Sequence, residues 1–302
     1  MGTRMKVLIT GGSGFIGTAL VHNLVAAGHE VLVLSRSVQR TARLLGVPVL
    51  DQLDQIPSSD NIDAIVNLAG APIVDRRWSE ARKKLLRDSR LKTTEALLAL
   101  IRRLDRPPEV MVSGSAVGYY GSHSDDVTLT EAADDFRPGF SHQLCADWEA
   151  CALQAETLGV RVCLLRTGIV LGHGGALSKM LPAFRFGLGG PIGNGRQWMS
   201  WVALEDEVAI IRFLLEQRTL RGPFNACAPE AVTNARFSQT LGAVLHRPAR
   251  LRVPARVLEL LLGEASELLV SGQRVYPRRL LDAGYTFRYT SLDDALKAAI
   301  SG

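Results

Sequence analysis

Two groups of residues in this 302-residue chain have the types and spacing that could do chemistry. The first is a set of hydroxyls, Ser113, Ser115, Tyr119 and Tyr120, just after the apolar run Val110-Met111-Val112. A serine or tyrosine hydroxyl beside a bound substrate can pass a proton to or from a substrate oxygen. The same aromatic rings can equally line a pocket without reacting. The second is the cluster Gly11-Gly12-Ser13-Gly14-Phe15-Ile16-Gly17. Its glycines let the chain turn tightly and let its backbone approach a pyrophosphate. If a helix starts there, its free N–H groups and partial positive charge face that anion.

The elements around the glycines supply the context this reading needs. Met5-Lys6-Val7-Leu8-Ile9-Thr10 is an apolar run of strand type, and residues 18–27 are amphipathic, so strand, turn and helix follow in order. Residues 30–34 read as a second strand that ends at Ser35-Arg36. A site for NAD usually carries an acidic residue there, for the ribose 2′-hydroxyl. A serine hydroxyl and an arginine fork would instead hold a 2′-phosphate, so the expected cofactor is NADP(H). The alternative is a surface arginine that starts the next helix. A third short strand at residues 47–50 ends at Asp51, near where an adenine would lie. Asp63-Ala64-Ile65-Val66-Asn67 reads as a buried parallel strand, and Leu68, Ala69 and Gly70 form a small-residue turn suited to the ligand crevice at its end.

A long helix is expected over residues 79–104, stopped by Pro107-Pro108, and a fifth strand over 110–113 carries the hydroxyl cluster. Residues 129–138 read as a loop, 143–158 as a helix with Trp148-Glu149, and 160–165 as a sixth strand leading to Arg166. Beyond it the alternation loosens. A glycine-rich stretch at 186–197, flanked by Arg185 and Arg196, reads as a substrate-closing loop or a tight connection, its arginines as anion ligands or solvated side chains. Helices follow at about 204–216, 235–245, 254–262 and 292–300. The expected fold is α/β, a Rossmann doubly wound parallel sheet with a small, mostly helical C-terminal domain. Residues 1–180 form the nucleotide-binding domain, with sheet-completing segments to about 228; residues 181–302 form the substrate-side and C-terminal region.

Composition narrows the function classes. The net charge is +5, and the basic residues are scattered in small groups such as Arg82-Lys83-Lys84. No basic stripe is interleaved with aromatics, which argues against a nucleic-acid surface; an anionic small molecule suits the charge better. Cys145, Cys151, Cys163 and Cys227 show no metal-type spacing, so no metal is expected. No signal peptide or membrane-length apolar run is read, and a cytoplasmic protein without membrane partners is expected. A homodimer is compatible with all of this.

With these residues in hand, the chain resembles the extended short-chain dehydrogenase/reductase superfamily, in its NAD-dependent epimerase/dehydratase-like group. The resemblance lies in Thr10-Gly11-Gly12-Ser13-Gly14-Phe15-Ile16-Gly17, Asn67-Leu68-Ala69-Gly70, Ser113-Gly114-Ser115-Ala116 with Tyr120-Gly121, and Leu129-Thr130-Glu131. More narrowly, it is similar to the bacterial epimerase-family proteins of the YfcH type. That similarity lies in Ser115-Ala116-Val117-Gly118-Tyr119-Tyr120-Gly121, Leu144-Cys145-Ala146-Asp147-Trp148-Glu149, Gly187-Leu188-Gly189-Gly190-Pro191-Ile192-Gly193 and Gly272-Gln273-Arg274-Val275-Tyr276-Pro277. The resemblance implies cofactor contacts at Gly11, Gly14, Phe15, Ile16, Gly17, Ser35, Arg36, Leu68, Ala69, Gly70, Arg90, Ser113 and Arg166.

The chain departs from that pattern at its chemical centre. The superfamily's Tyr-x-x-x-Lys pair precedes a glutamate, and counting back from Glu149 puts Ser141 and Cys145 at the two positions. A serine is a much weaker acid than a phenol, and a thiol supplies no fixed positive charge. Ser115, Tyr119 and Tyr120 are the remaining catalytic candidates, with Arg166 the cation that would lower a phenol's pKa and His142 a further acid/base candidate. Two readings follow. One is an NADP(H)-dependent epimerase or oxidoreductase acting on a hydroxyl/carbonyl substrate, including a nucleotide sugar; the other is a non-catalytic NADP(H) sensor.

Overall fold

The computed structural model describes residues 4–123 and 125–301. The chain begins with β1 (Lys6–Thr10), α1 (Phe15–Ala26), β2 (Glu30–Leu34), α2 (Val38–Leu45), β3 (Val49–Leu50) and β4 (Ala64–Asn67). Then come α3 (Glu80–Arg103), β5 (Val110–Ala116), β6 (Thr128–Leu129), α4 (Phe140–Leu153), β7 (Arg161–Thr167), β8 (Ile169–Leu171) and α5 (Gly175–Arg185). The remainder comprises β9 (Trp198–Met199), β10 (Trp201–Ala203), α6 (Leu204–Glu216), β11 (Gly222–Ala226), β12 (Val232–Thr233) and α7 (Asn234–Val244). It closes with α8 (Ala255–Leu262), α9 (Glu267–Val270), β13 (Arg274–Val275), α10 (Arg278–Asp282) and α11 (Leu292–Ser301).

Seven strands form one sheet in the order β11-β7-β5-β4-β1-β2-β3, and each of its pairings is parallel. β1 pairs with β2 on one side and β4 on the other, so the order reverses between β1 and β4. Loops leaving the strands diverge at such a point and leave a crevice at the strands' C-terminal ends. The expected α/β doubly wound fold is therefore present, with a largely helical C-terminal part.

The central strands read as continuous apolar runs because both sheet faces are covered. Val7 and Ile9 of β1 pack with Leu20, Val21 and Leu24 of α1 and with Ile210, Ile211 and Leu214 of α6. Leu8, between them in sequence, points the other way, to Leu97, Leu98 and Ile101 of α3 and Ala152 of α4. A third cluster joins Trp201, Phe237, Leu241 and Leu296, and so ties α7 and α11 to the short β8–β10 pair.

Several elements differ from the sequence reading. β5 continues to Ala116, which places Ser115 inside the strand. The helix expected over 143–158 starts earlier, at Phe140, and turns into a 3-10 segment after Leu153. Part of the expected loop at 129–138 is β6, paired with β13 at Thr128↔Arg274 and Val275↔Leu129. Two residues paired across more than a hundred positions leave no local periodicity to read. α5 escapes the pattern because Pro182 lies within it and glycines open it.

One buried carboxyl group in this scaffold makes stability depend on pH. Glu207, in the first turn of α6, is fully buried; its Oε1 accepts from Thr167 Oγ1 at 2.7 Å, and Oε2 has no partner. Burial pushes its pKa up to about 8, against a weaker downward pull from Thr167. The folded state then holds a proton that the unfolded chain releases near 4.5, so stability is greatest at low pH and falls as pH rises toward 8. Thermal unfolding of Glu207→Gln between pH 5 and 8 should show a flatter profile than wild type and a higher midpoint at pH 8. The separation should grow by at most about 1.4 kcal/mol per pH unit across that window.

Candidate functional site

A groove of about 980 Å³ opens along the C-terminal ends of β1, β2 and β4. Its floor is the glycine turn. Gly11 has φ +72°, and its carbonyl accepts from Gly14 N–H at 2.9 Å. A Cβ on Gly17 would lie 2.2 Å from Gly11 O, and one on Gly11 would lie 2.6 Å from Leu68 O. Glycine is therefore required at both positions for α1 to seat against β1 and for the Leu68–Gly70 turn to close beside it. α1 begins at Phe15 with Gly14 as its N-cap, has no side-chain cap and has no acidic residue in its first turn. Its leading N–H groups, those of Phe15, Ile16 and Gly17, are left without intrahelical partners and suit an anion. The Phe15 ring packs beneath Gly172, Gly174 and Gly175, and Ile16 packs on the core, so these two serve the groove through their backbone.

At one end of the groove lie Ser35, Arg36 and, one helical turn later, Arg40 of α2. Ser35 Oγ is 2.8 Å from Thr41 Oγ1 and accepts from Ser37 N–H, which shapes the end of β2 into a polar turn. Both arginines are exposed and reach the same groove. Arg40 was not singled out from the sequence, although its i,i+4 spacing from Arg36 is the signal that puts it there. Asp51 also lines this end. Leu68, Ala69 and Gly70 line the middle, with Ala69 N–H donating to Thr10 Oγ1 at 3.3 Å.

Past Gly70 stands Arg90 of α3. Its Nη1 donates to Leu86 O at 3.0 Å and its Nη2 to Ala71 O at 3.3 Å, and its guanidinium lies 5.2 Å from the Trp148 ring. Trp148 in turn lies against Gly114, where a Cβ would come within 2.8 Å of the ring. Arg90 thus bridges the end of β4 and the end of β5.

The hydroxyl cluster divides into distinct environments. Ser113 is fully buried and accepts from Asn67 Nδ2 at 3.5 Å, in a network where Asn67 also accepts from Thr10 Oγ1 and donates to Thr94 Oγ1. It sits beneath the groove and braces β4 against β5. Ser115 is 6% exposed and donates to Glu149 Oε1 at 2.6 Å. Arg166 is buried in a two-pronged pair with the same carboxylate: Nε donates to Oε1 and Nη2 to Oε2, both at 2.9 Å. Burial opposes its charge, but Glu149 outweighs burial and holds the guanidinium protonated. Arg166 also donates to the Tyr120 hydroxyl at 3.1 Å and lies 3.5 Å from the centre of the Tyr119 ring.

Tyr120 is fully buried, and its hydroxyl donates to Asn225 Oδ1 at 2.7 Å. Burial pushes its pKa up to about 12, and neighbouring Arg166 does not reverse that. The phenol is neutral at any physiological pH and joins β11 to the end of β5. Tyr119 is only partly buried and packs edge-on to His142, whose Nδ1 meets the Tyr119 carbonyl.

Ser141 and Cys145 lie one turn apart on α4, beside Gly118. Burial, with Glu149 adding to it, pushes the Cys145 thiol up to about 11, so it remains uncharged. Ser141 donates to Glu267 Oε1 at 2.8 Å. This brings a carboxylate from α9 in the C-terminal part to Ser141 on α4. Sequence reading missed Glu267, because its partner is 126 positions away and its own surroundings carry no motif.

The Glu149–Arg166 pair generates a test. Arg166→Ala leaves a carboxylate buried without its cation, which should cost about 3–5 kcal/mol of folding stability. Urea unfolding of this variant beside Glu149→Gln/Arg166→Met, which removes both charges, should show the single change as the more damaging one.

Residues 7–227 match the model of the NAD dependent epimerase/dehydratase family, and residues 253–299 match a domain of unknown function, DUF1731. The chain is 42% identical to epimerase family protein Mb2239 of Mycobacterium bovis over 293 residues, covering 96% of each chain. It is 36% identical to epimerase family protein YfhF of Bacillus subtilis, covering 98% of each. The crystal structure of human epimerase family protein SDR39U1 with NADPH superposes with a TM-score of 0.89 at 38% identity, covering 98% of this chain and 99% of that one. UDP-glucose 4-epimerase of Thermotoga maritima, at 18% identity and a TM-score of 0.80, shares the fold. With a family model that spans most of its length and full-length relatives well above 30% identity, the chain belongs to the NAD dependent epimerase/dehydratase family of extended short-chain dehydrogenases/reductases.

Proposed function

We propose that the protein is an NADP(H)-dependent oxidoreductase or epimerase acting on a small, anionic hydroxyl/carbonyl substrate, with nucleotide sugars as the leading class. The observation that carries the cofactor reading is the groove itself: an uncapped helix N-terminus at Gly14–Phe15 beneath its middle, and Arg36 with Arg40 where β2 ends. The fit is supported by Gly11 and Gly17, whose missing Cβ atoms let α1 seat against the end of β1 and the Leu68–Gly70 turn close beside it. The human relative crystallised with NADPH supports the same choice. The finer placement among YfcH-type proteins is supported by the motifs from Ser115 to Gly121 and from Gly272 to Pro277. Four unpaired, buried cysteines suit a reducing compartment such as the cytoplasm.

NADP(H) supplies a hydride donor or acceptor. The protein's part is to hold and orient the substrate. Ser115 commits its proton to Glu149, so its oxygen is free to accept from a substrate hydroxyl. Tyr119, resting on the Arg166 guanidinium, is the phenol placed to pass a proton. Tyr120 is fully buried, its hydroxyl held by Asn225, and serves the scaffold. The sensor reading is favoured by Ser141 and Cys145, which provide neither a phenol nor a cation on α4. It differs in predicting tight NADPH binding without turnover on any substrate.

Cofactor choice is measured by fluorescence titration with NADPH and NADH. Wild type should prefer NADPH, and Arg36→Ala should weaken NADPH by about tenfold while leaving NADH nearly unchanged, since only the 2′-phosphate contact is lost. Equal affinities in wild type would overturn the NADP(H) assignment. Turnover is measured separately, as NADPH consumption across nucleotide sugars and carbonyl compounds, with Ser115→Ala and Tyr119→Phe each expected to reduce any rate found by at least about 100-fold. Activity unaffected by both changes would remove these residues from catalysis.

A further inference from the structure

The exposed apolar side chains of this protein are not scattered. Of the eleven large ones among the described residues, six lie in two segments, 183–197 and 246–262, and they include the most exposed, Phe186 at 81% and Leu260 at 75%. The two segments are fastened to each other. Arg247 Nε donates to Arg185 O at 3.0 Å, Gly193 N–H donates to Val253 O at 2.8 Å, and a Cβ on Gly190 would lie 2.2 Å from Leu251 O. Phe186, Leu188 and Leu251 therefore stand out from one corner of the molecule, and α8 continues from it. No residue of α8 is buried. Its exposed Val257, Leu260 and Leu261 are spaced i, i+3 and i+4, so they share one helix face. A single exposed leucine is ordinary, but apolar side chains gathered in this way mark an interaction site.

Charge decides what covers this face. Arg185, Arg247, Arg250, Arg252 and Arg256 lie in the same two segments, are exposed, and form no ion pair among the described residues. Glu259 is the only acidic residue in either segment. A two-fold contact with a second copy would set these arginines against one another. A protein partner would have to receive Phe186 from a loop and Leu260 from a helix in pockets of its own, whereas a bilayer needs no matching shape. Apolar side chains among arginines suit a lipid headgroup layer: the apolar groups enter the acyl boundary, and the guanidinium forks meet phosphate oxygens. We propose that this face docks on an anionic lipid surface, with Phe186 and Leu260 as its apolar anchors and Arg250 and Arg252 on the lipid phosphates. The expectation of no membrane partner rested on the lack of a spanning run. No helix of the described residues is long and apolar enough to cross a membrane, and a face that lies on one needs no such helix. The inference stands apart from the NADP(H) reading, since neither segment lines the groove.

The test is co-sedimentation of the whole protein with phosphatidylcholine vesicles, with and without phosphatidylglycerol. Wild type should sediment with the mixed vesicles and stay in solution with phosphatidylcholine alone. Phe186→Ser/Leu260→Ser removes the anchors, and Arg250→Glu/Arg252→Glu reverses two charges. Each pair should weaken binding to the mixed vesicles by about tenfold or more. All four side chains are exposed, so the thermal midpoints of both variants should match wild type. Val25→Ser, which changes an exposed apolar side chain on α1, should bind the mixed vesicles as wild type does. Wild type that fails to sediment with the mixed vesicles overturns the inference, as does equal binding to both vesicle types or binding that neither double variant weakens. Retention on immobilised polyglutamate without vesicle binding would assign the face to an acidic protein. A wild-type dimer in analytical ultracentrifugation that Phe186→Ser/Leu260→Ser dissociates would assign it to a second copy. Either of these results overturns the lipid reading.

Discussion

The constraint on which the structure depends is the contact of bare backbone at the first turn. Gly17 lies so close to the Gly11 carbonyl that a methyl group there would sit 2.2 Å from the oxygen. Because nothing stands between them, α1 can lean directly onto the end of β1 and aim its uncapped N-terminus into the groove. Gly11 must adopt a positive φ, and its own approach to Leu68 O locks the turn after β4 against the turn after β1. The reversal of strand order between β1 and β4 then opens a crevice with the glycine turn as its floor. The same short stretch therefore fixes the packing of a central helix and the anion-facing surface.

The other half of the site is organised by charge instead of by absence of side chains. Glu149 and Arg166 neutralise each other deep between α4 and β7, and each has a second duty. Glu149 orients Ser115, and Arg166 supports Tyr119 and donates to Tyr120. A buried pair of this kind contributes little net stability, while removing either charge alone is costly. Ser141, bonded to Glu267 of α9, makes the C-terminal part a contributor to the same region.

Much of this was legible in the sequence where local pattern and local chemistry coincide. The strand–glycine–helix opening, the Ser35-Arg36 ending of β2 and the apolar runs of β4, β5 and β7 carry their meaning within a dozen residues. What was not legible depends on distant partners. Ser113 and Ser115 differ by two positions in one strand and share a face, yet one joins the Asn67 network and the other meets Glu149. Tyr119 and Tyr120 are adjacent, yet Asn225, which lies on β11, seals only the second. The pairing of Arg166 with Glu149 joins two elements, and β6 is a strand only because β13 arrives beside it. Glu207 gave no signal at all; its burial is a product of α6 closing over the end of β7.

The central claim is that the groove holds NADPH from the arginines at β2 to the end of β5. The most direct measurement is a crystal structure of the protein with NADPH. The account predicts the 2′-phosphate between Arg36 and Arg40 and the pyrophosphate against the N–H groups of Phe15 and Ile16. A 2′-phosphate pointing into solvent, with the pyrophosphate away from α1, would contradict it.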